Sequence, residues 1–376
     1  MTKTEKLLCE LIALPSVNPA FLSGDHRHTG ERRVAEFLAT VAARGGLDVE
    51  LQAALPQRAN LIARLSPSRK IRQRILLAPH LDTVPAAAEK QFLPRIQNGR
   101  LSGRGACDTK GSIAAMLGAL CEIARSTQRP SETEIVFAGL VDEENTQAGA
   151  RALVRGGLRA DLAIVGEPTR LRVVTAHKGN WWFRLETRGK AAHGARPELG
   201  RNAVHAMAKI VDALETGYAK ELRRRRHPLL GAATVNVGTI CGGTQPNIVP
   251  DACAITVDRR TLPGETEAGV RRELSAFLAG KKLSAKFSGV KAAPCSPLET
   301  DPAIPLVRQF LKCAGQRRPV GVDFFCDAAV LAAGGIPSVV FGPGDIAQAH
   351  TVDEWISLVE LERGRALLVR FLKSLP

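Results

Sequence analysis

The chain has 376 residues, 45% of them apolar, which is more than one hydrophobic core usually organises, so two domains are expected. No run of eighteen apolar residues occurs, and Met1 to Lys6 leads into an amphipathic helical pattern rather than a secretion signal; no membrane span and a cytoplasmic location are expected. The net charge of +15 raises nucleic acid as a partner. However, the densest cluster, Arg223 to Arg226 with His227, points around a helix or along a loop and has no aromatic platform beside it, so a solvated basic surface that attracts carboxylate-bearing substrates is the reading. The eight cysteines stand singly, without Cys-x-x-Cys, and read as reduced thiols rather than a disulfide framework or structural zinc site.

Helix-period apolar positions run over Thr4–Leu14 and Gly30–Arg44, the second stopped by Gly45 and Gly46. Pro15-Ser16-Val17-Asn18-Pro19 between them is a turn-rich connection. His26 and His28 follow in a polar loop with few carboxylates nearby and read as solvated. Strand patterns come next at Leu47–Leu51, Asn60–Leu65 and Ile75–Ala78, and the last of them runs into Pro79-His80-Leu81-Asp82. A strand that leaves a core and stops at His-x-Asp delivers a neutral imidazole to a rim, with a carboxylate near enough to fix its tautomer. Taken alone, such a tripeptide is more often only a turn.

Gly99–Gly105 then brings the chain back to Cys107-Asp108-Thr109-Lys110-Gly111 and an apolar helix over Ser112–Arg125. Gly103 and Gly105 invite a nucleotide-loop reading, but the Gly-Lys-Ser/Thr ending is missing and Asp108 stands where a third fingerprint glycine would fall. A carboxylate there suits a divalent cation, not a phosphate. Strand Glu134–Val141 ends in Asp142-Glu143-Glu144. Three acids directly after a buried strand are costly unless a cation or buried partner compensates them; an acidic surface turn is the bland alternative. Strand Asp161–Val165 ends in Gly166-Glu167. Four strand ends in succession therefore carry potential ligands, and functional groups in open α/β sheets gather beyond the carboxyl ends of strands.

From about Lys178 the pattern changes to strand Trp181–Thr187, helix Asn202–Arg223, strands Ala233–Val237 and Ala252–Asp258, helix Glu265–Ala279 and strand Ala285–Ser288. This βαββαβ-like succession is an α+β unit inserted into the first domain. His193, the turn Gly242–Asn247 and the turn Asp258-Arg259-Arg260-Thr261-Leu262-Pro263 lie within it. After Pro294 the α/β pattern resumes with helix Ala303–Ala314, the segment Asp327–Ala333, strand Ile336–Phe341 and a loop reaching His350. Gly342-x-Gly344-x-x-Ala347 in that loop mimics a dinucleotide fingerprint, but no βα unit follows to hold a ribose. A final helix spans Glu354–Ser374. The expected domains are 1–177 and 291–376 for the α/β part, with 178–290 inserted.

His80, Asp108, Glu143, Glu144, Glu167 and His350 together match a pair of divalent ions bridged by one carboxylate, zinc or cobalt being preferred over magnesium because of the imidazoles. One carboxylate should stay off the metals to take and pass on the proton of a shared water. His80-Leu81-Asp82-Thr83-Val84-Pro85, Gly103 to Gly111, Asp142-Glu143-Glu144, Gly166-Glu167-Pro168-Thr169 and Ala349-His350-Thr351 also resemble, in order and over essentially the whole chain, the motifs of the M20 metallopeptidases. That family includes acetylornithine deacetylase, succinyl-diaminopimelate desuccinylase, aminoacylase and glutamate carboxypeptidase. The resemblance implies a mixed-sheet, zinc-exopeptidase-like α/β catalytic domain with an inserted ferredoxin-like lid and dimerisation domain.

It further implies that Asp108 bridges the metals, His80 and Glu167 complete one site, Glu144 and His350 complete the other, Glu143 is the general base and Asp82 orients His80. His193, Asn247 and Arg259 correspond to substrate binders, with neighbouring Arg260 leaving that register open, and a homodimer through the inserted domain is implied. Cys107 departs from the small residue usual beside the bridging aspartate and would make activity oxidation-sensitive. Ala176-His177-Lys178-Gly179 looks most like the acetylornithine deacetylase branch, so hydrolysis of an N-acyl amino acid is expected. The desuccinylase and dipeptidase branches are close alternatives, and a catalytically silent metal-binding protein is the alternative of a different class.

Overall fold

The computed structural model describes residues 1–22, 27–290 and 295–376; His26 lies outside them. The chain divides into two compact units. The first comprises Met1–Thr175, Thr300–Val320 and Cys326–Pro376; the second comprises Ala176–Glu299 with Gly321–Phe325.

The first unit is built on a mixed sheet. Strands β1 (Asp48–Leu55), β2 (Arg58–Leu65), β3 (Gln73–Pro79), β4 (Thr133–Gly139) and β5 (Leu162–Gly166) lie in the order β1-β2-β4-β3-β5, followed by Ser338–Val340. β1 and β2 run antiparallel to their neighbours, whereas β3, β4, β5 and Ser338–Val340 are mutually parallel. β4 and β5 are buried along their whole length, as strands covered on both faces must be. Helices α1 (Lys3–Ile12), α2 (Arg32–Arg44), α3 (Lys110–Ala124) and α4 (Ala148–Arg155) belong to this unit. α1 starts with a Thr2–Glu5 capping box and buries Leu7, Leu8, Leu11 and Ile12. α3 is buried around nearly its full circumference and joins Leu117 and Leu120 to Leu77 and Phe137 in the core.

The second unit is an antiparallel sheet of β6 (Gly179–Arg188), β7 (Thr234–Gly242), β8 (Ala252–Thr261) and β9 (Lys286–Gly289), in the order β7-β8-β6-β9. Phe183, Leu185, Ile255 and Val257 on one face form a core with Met207, Ile210, Leu214 and Leu274 of the unit's helices. The long helix expected over Asn202–Arg223 is interrupted: Ala203–Asp212 is α-helical, Ala213–Tyr218 is a π-helical turn, and Ala219–Leu222 is α-helical again. The wider turn leaves Tyr218 fully buried, with its hydroxyl donating to Glu273 at 2.8 Å.

Two further expectations need correction, and α4 has no counterpart among the expected elements, because its eight residues are too few for a clear period. The final helix runs Leu358–Lys373 and is preceded by a short strand, Trp355–Ser357, which leaves Glu354 outside it. His28 is packed instead of solvated, stacking on Phe92 with ring centroids 4.9 Å apart and its Nε2 lying 3.2 Å from Glu89.

Candidate metal centre

Parallel pairing assembles the rim. β3 pairs with β4 from Gln73↔Thr133 to Leu77↔Phe137, and with β5 from Ile75↔Leu162 to Pro79↔Gly166. The pairing continues one step beyond β3, where His80 bridges to Leu140 and the Leu81 N–H donates to the Leu140 carbonyl at 2.7 Å. His80, the Asp142–Glu144 turn and Glu167 therefore leave the sheet at one level. Asp108 comes from the turn entering α3 instead of a strand end, and His350 follows a 3₁₀ turn, Ile346–Gln348, with a φ of 63°. The four expected strand ends are thus three strand ends and a helix entry.

Asp108 stands between the two imidazoles. Its Oδ1 lies 3.0 Å from His80 Nε2 and its Oδ2 lies 3.3 Å from His350 Nε2. Glu144 Oε1 is 3.2 Å from the same His350 nitrogen, and Glu167 Oε1 is 3.8 Å from His80 Nε2. Ligand atoms of His80, Asp108 and Glu144 all lie within 4.8 Å of one another. His80 Nδ1 donates to the main-chain carbonyl of Asp82 at 2.9 Å, with the Asp82 carboxylate 3.5 Å away; in the neutral imidazole that bond leaves Nε2, on the side of Asp108, as the lone-pair nitrogen. Asp82 also accepts the backbone N–H groups of Glu143 and Glu144 at 3.0 and 3.1 Å.

The electrostatics are those of a carboxylate-rich site. Burial, reinforced by Glu167, Asp327 and Glu144, pushes the Glu143 carboxyl well above the usual range, and burial with Asp108 and Glu144 does the same to Glu167. Burial opposes charge on His80 too, but Asp108, Asp82 and Glu167 outweigh it and raise its pKa. Hydrogen bonding to Asp108 and Glu144 lifts His350 to about 10. Asp327, at 1% exposure, has no hydrogen-bond partner for either carboxylate oxygen among the described residues, and burial pushes it up to about 7. An excess of buried carboxylates facing two imidazoles, with bare oxygens among them, fits bound divalent cations in chemistry and in donor type.

Two acids in this neighbourhood were not anticipated. Glu354 accepts the backbone N–H groups of Gly105, Cys107 and Asp108 at 3.0, 2.8 and 3.0 Å and pairs with Arg104 at 2.7 Å, so one carboxylate folds the loop that carries Asp108. Asp327 precedes the Ala328–Ala333 helix; a single acid before an alanine-rich run looks like an ordinary helix start. Lys110 closes the loop from its other side, donating to the Leu11 and Leu14 carbonyls at 2.9 and 2.8 Å, and burial lowers its ammonium to about 7. Cys107 is buried, its thiol donates to the Asp345 carbonyl at 3.3 Å, and burial with Asp108 and Glu354 pushes its pKa far up. Burial and the two neighbouring acids both disfavour the reactive thiolate form.

In the second unit, His193 and Asn247 come together. His193 bridges to Ile248, and the Gly194 N–H donates to the Asn247 carbonyl at 2.7 Å, with both side chains exposed. Arg259 does not join them. On β8 the burial alternates, so Val257, Arg259 and Thr261 face the unit's interior while Thr256, Asp258 and Arg260 face out. The Arg259 guanidinium is fully buried and engaged by Glu265 at 2.8 Å, by the Tyr218 hydroxyl and by the Arg260 carbonyl. That saturation removes it as a substrate clamp. Arg260, on the open face, pairs with Asp258 at 3.1 Å.

Residues 76–374 match the sequence profile of peptidase family M20/M25/M40. The chain is 35% identical over 326 residues to an acetylornithine deacetylase of Myxococcus xanthus, covering 84% of this chain and 83% of that protein. It is 30% identical over 384 residues to the acetylornithine deacetylase of Proteus mirabilis, covering 98% and 96%. Among solved structures, aminopeptidase PepT from Bacillus cereus superimposes with a TM-score of 0.79 at 24% identity, covering 99% of this chain and 97% of that one. A dinuclear metal binding peptidase of the M20 family from Bacillus subtilis superimposes at 0.70 and 15% identity, covering 98% and 96%. With its motifs on one rim and the profile spanning both units, the chain belongs to the M20/M25/M40 peptidase family of metal-dependent hydrolases.

Proposed function

We propose that the protein hydrolyses the amide bond of an N-acyl amino acid, with N-acetylornithine or a close relative as substrate. The observation that carries this reading is Asp108 held between two imidazoles beside Glu143, whose carboxylate accepts no hydrogen bond among the described residues. His80 and Glu167 would hold one ion, Glu144 and His350 the other, and Asp108 both, with zinc or cobalt matching the mixed nitrogen and oxygen donors. A bound pair of such ions lowers the pKa of a water and polarises a carbonyl. Glu143 takes the water's proton and hands it to the departing amine, so that the amide and water become a carboxylate and an amine. His193 and Asn247 would bind the substrate's carbonyl and carboxylate, and Arg260, whose side chain lies on the open face of β8, would take the role that the resemblance gave to Arg259.

Support for the acyl-amino-acid branch comes from the deacetylase relatives at 30–35% identity over most of their length. Small peptides are the second reading, because the matching profile is that of a peptidase family. Metal-free protein reconstituted with zinc or cobalt should hydrolyse N-acetylornithine in preference to N-succinyl-diaminopimelate, N-acetylmethionine and dipeptides. A preference for dipeptides would replace the deacetylase reading, and silence on every substrate with two ions bound would favour a non-catalytic metal binder. A homodimer through the second unit belongs to the same reading: among the described residues β7 pairs on one side only, and it exposes Ile240. Light scattering is expected to give twice the chain mass of 40.3 kDa, and a monomer would remove this element.

A further inference from the structure

Beneath the rim lies a buried polar cluster of which hydrolysis, as described, uses Asp82 alone. Asn18 sits fully buried in the Pro15–Pro19 connection. Its side-chain oxygen accepts the Ala20 N–H at 3.0 Å, capping the Pro19–Phe21 turn, while its Nδ2 donates to Asp82 Oδ2 at 2.7 Å and to Asp142 Oδ1 at 3.0 Å. Asp82 is the carboxylate that receives the Glu143 and Glu144 backbone N–H groups. Asp142 begins the same turn, its N–H donating to Glu31 at 3.1 Å. Arg58 pairs with Glu31 and, at 3.0 Å, with Asp142. Glu31, Asp82 and Asp142 are each no more than 1% exposed.

Two buried carboxylates repel unless something donates to both. An amide NH₂ has two hydrogens and, unlike a cation, brings no charge of its own. Asp82 and Asp142 reach the catalytic turn from different strands, one from beyond β3 and one from beyond β4. Asn18 joins these two carboxylates side by side, adding to the direct bonds from the Glu143 and Glu144 amides to Asp82.

We infer that Asn18 is a positioning residue that clamps Asp82 to Asp142 through its two amide hydrogens and thereby fixes the Glu143–Glu144 turn, with Arg58 balancing the charge behind it. The inference rests on the metallohydrolase reading. It competes with a simpler role in which Asn18 only caps the Pro19–Phe21 turn.

Two substitutions separate these roles. Asn18→Asp keeps the volume and the capping oxygen but replaces the donor with a third anion; Asn18→Ala loses cap and clamp together without adding charge. Metal-free wild type and both variants would be titrated with cobalt(II), followed by visible absorption, and assayed with the best substrate of the panel. The clamp predicts that Asn18→Asp is the worse of the two. Cobalt affinity at the second equivalent and kcat should fall by about 10–100-fold, the range for groups that orient metal ligands, with an altered cobalt spectrum and KM little changed. Asn18→Ala should fall less but in the same direction.

Capping alone predicts that Asn18→Ala loses thermal stability while its cobalt affinity, cobalt spectrum and kcat stay at the wild-type values, and that result overturns the clamp. Should Asn18→Asp not fold, Asn18→Ala still decides: wild-type cobalt affinity and spectrum in that variant overturn the clamp. Wild-type protein that takes up no cobalt overturns the metal-centre reading itself, a failure visible before any variant is compared.

Discussion

Glu143→Ala is expected to lower kcat by about 10²–10⁴-fold while both metal ions stay bound. Glu143 is tied to the fold through its backbone N–H, which alanine keeps and which donates to Asp82 at 3.0 Å. Its carboxylate is surrounded by burial and by Glu167, Asp327 and Glu144, all of which raise its pKa. The sign of the stability effect follows. An acid whose native pKa lies above its unfolded value of about 4.3 costs the native state stability as pH rises past that value. At pH 7 the metal-free variant should therefore melt no lower than metal-free wild type. Metal analysis, kcat and melts of the two metal-free proteins check the three parts. Retained turnover would remove Glu143 as the base, and loss of an ion would make it a ligand instead.

Asp108→Ala is expected to abolish tight binding of both ions and all measurable activity. Its two oxygens face His80 and His350 separately, at 3.0 and 3.3 Å, so its removal takes a ligand from each side at once. The loop should survive, because Asp108 is held there by its backbone N–H to Glu354, which alanine retains. A ligand present at 100 times its dissociation constant stabilises the native state by about 2.7 kcal/mol. Wild-type protein should accordingly melt higher as zinc is added, and the variant should not. A variant that still binds one ion at wild-type affinity would mean that Asp108 serves a single site.

Much of the centre could be read in advance because its ligands are unusual residues in unusual places: acids and imidazoles at the ends of apolar runs. The supporting residues carry no such mark. Asn18 looks like any turn asparagine, Asp327 like any helix start and Glu354 like a residue of the helix that follows. What gives Asn18 and Glu354 their roles is a partner far along the chain, 64 residues away for Asn18 and Asp82 and 246 for Asp108 and Glu354. Pairings at that distance depend on topology, which local pattern does not encode. Arg259 failed for a different reason. Two adjacent arginines on a strand point to opposite faces, and composition cannot say which parity faces in when both residues are charged. The Asn202–Arg223 helix was read through its π turn because one extra residue barely disturbs the apolar period.

The Glu354 carboxylate that folds the Asp108 loop also sets a timetable for the newborn chain. Ribosomes add about 5–20 residues per second, so roughly 10–50 s separate the emergence of Asp108 from that of the acid 246 positions later. Throughout that interval the Gly105, Cys107 and Asp108 amides have no anion to gather around, and His350 has not been made either. His80, Asp108, Glu144 and Glu167 are thus synthesised well before the carboxylate that folds the Asp108 loop, and that loop takes up its arrangement only after residue 354 has been added.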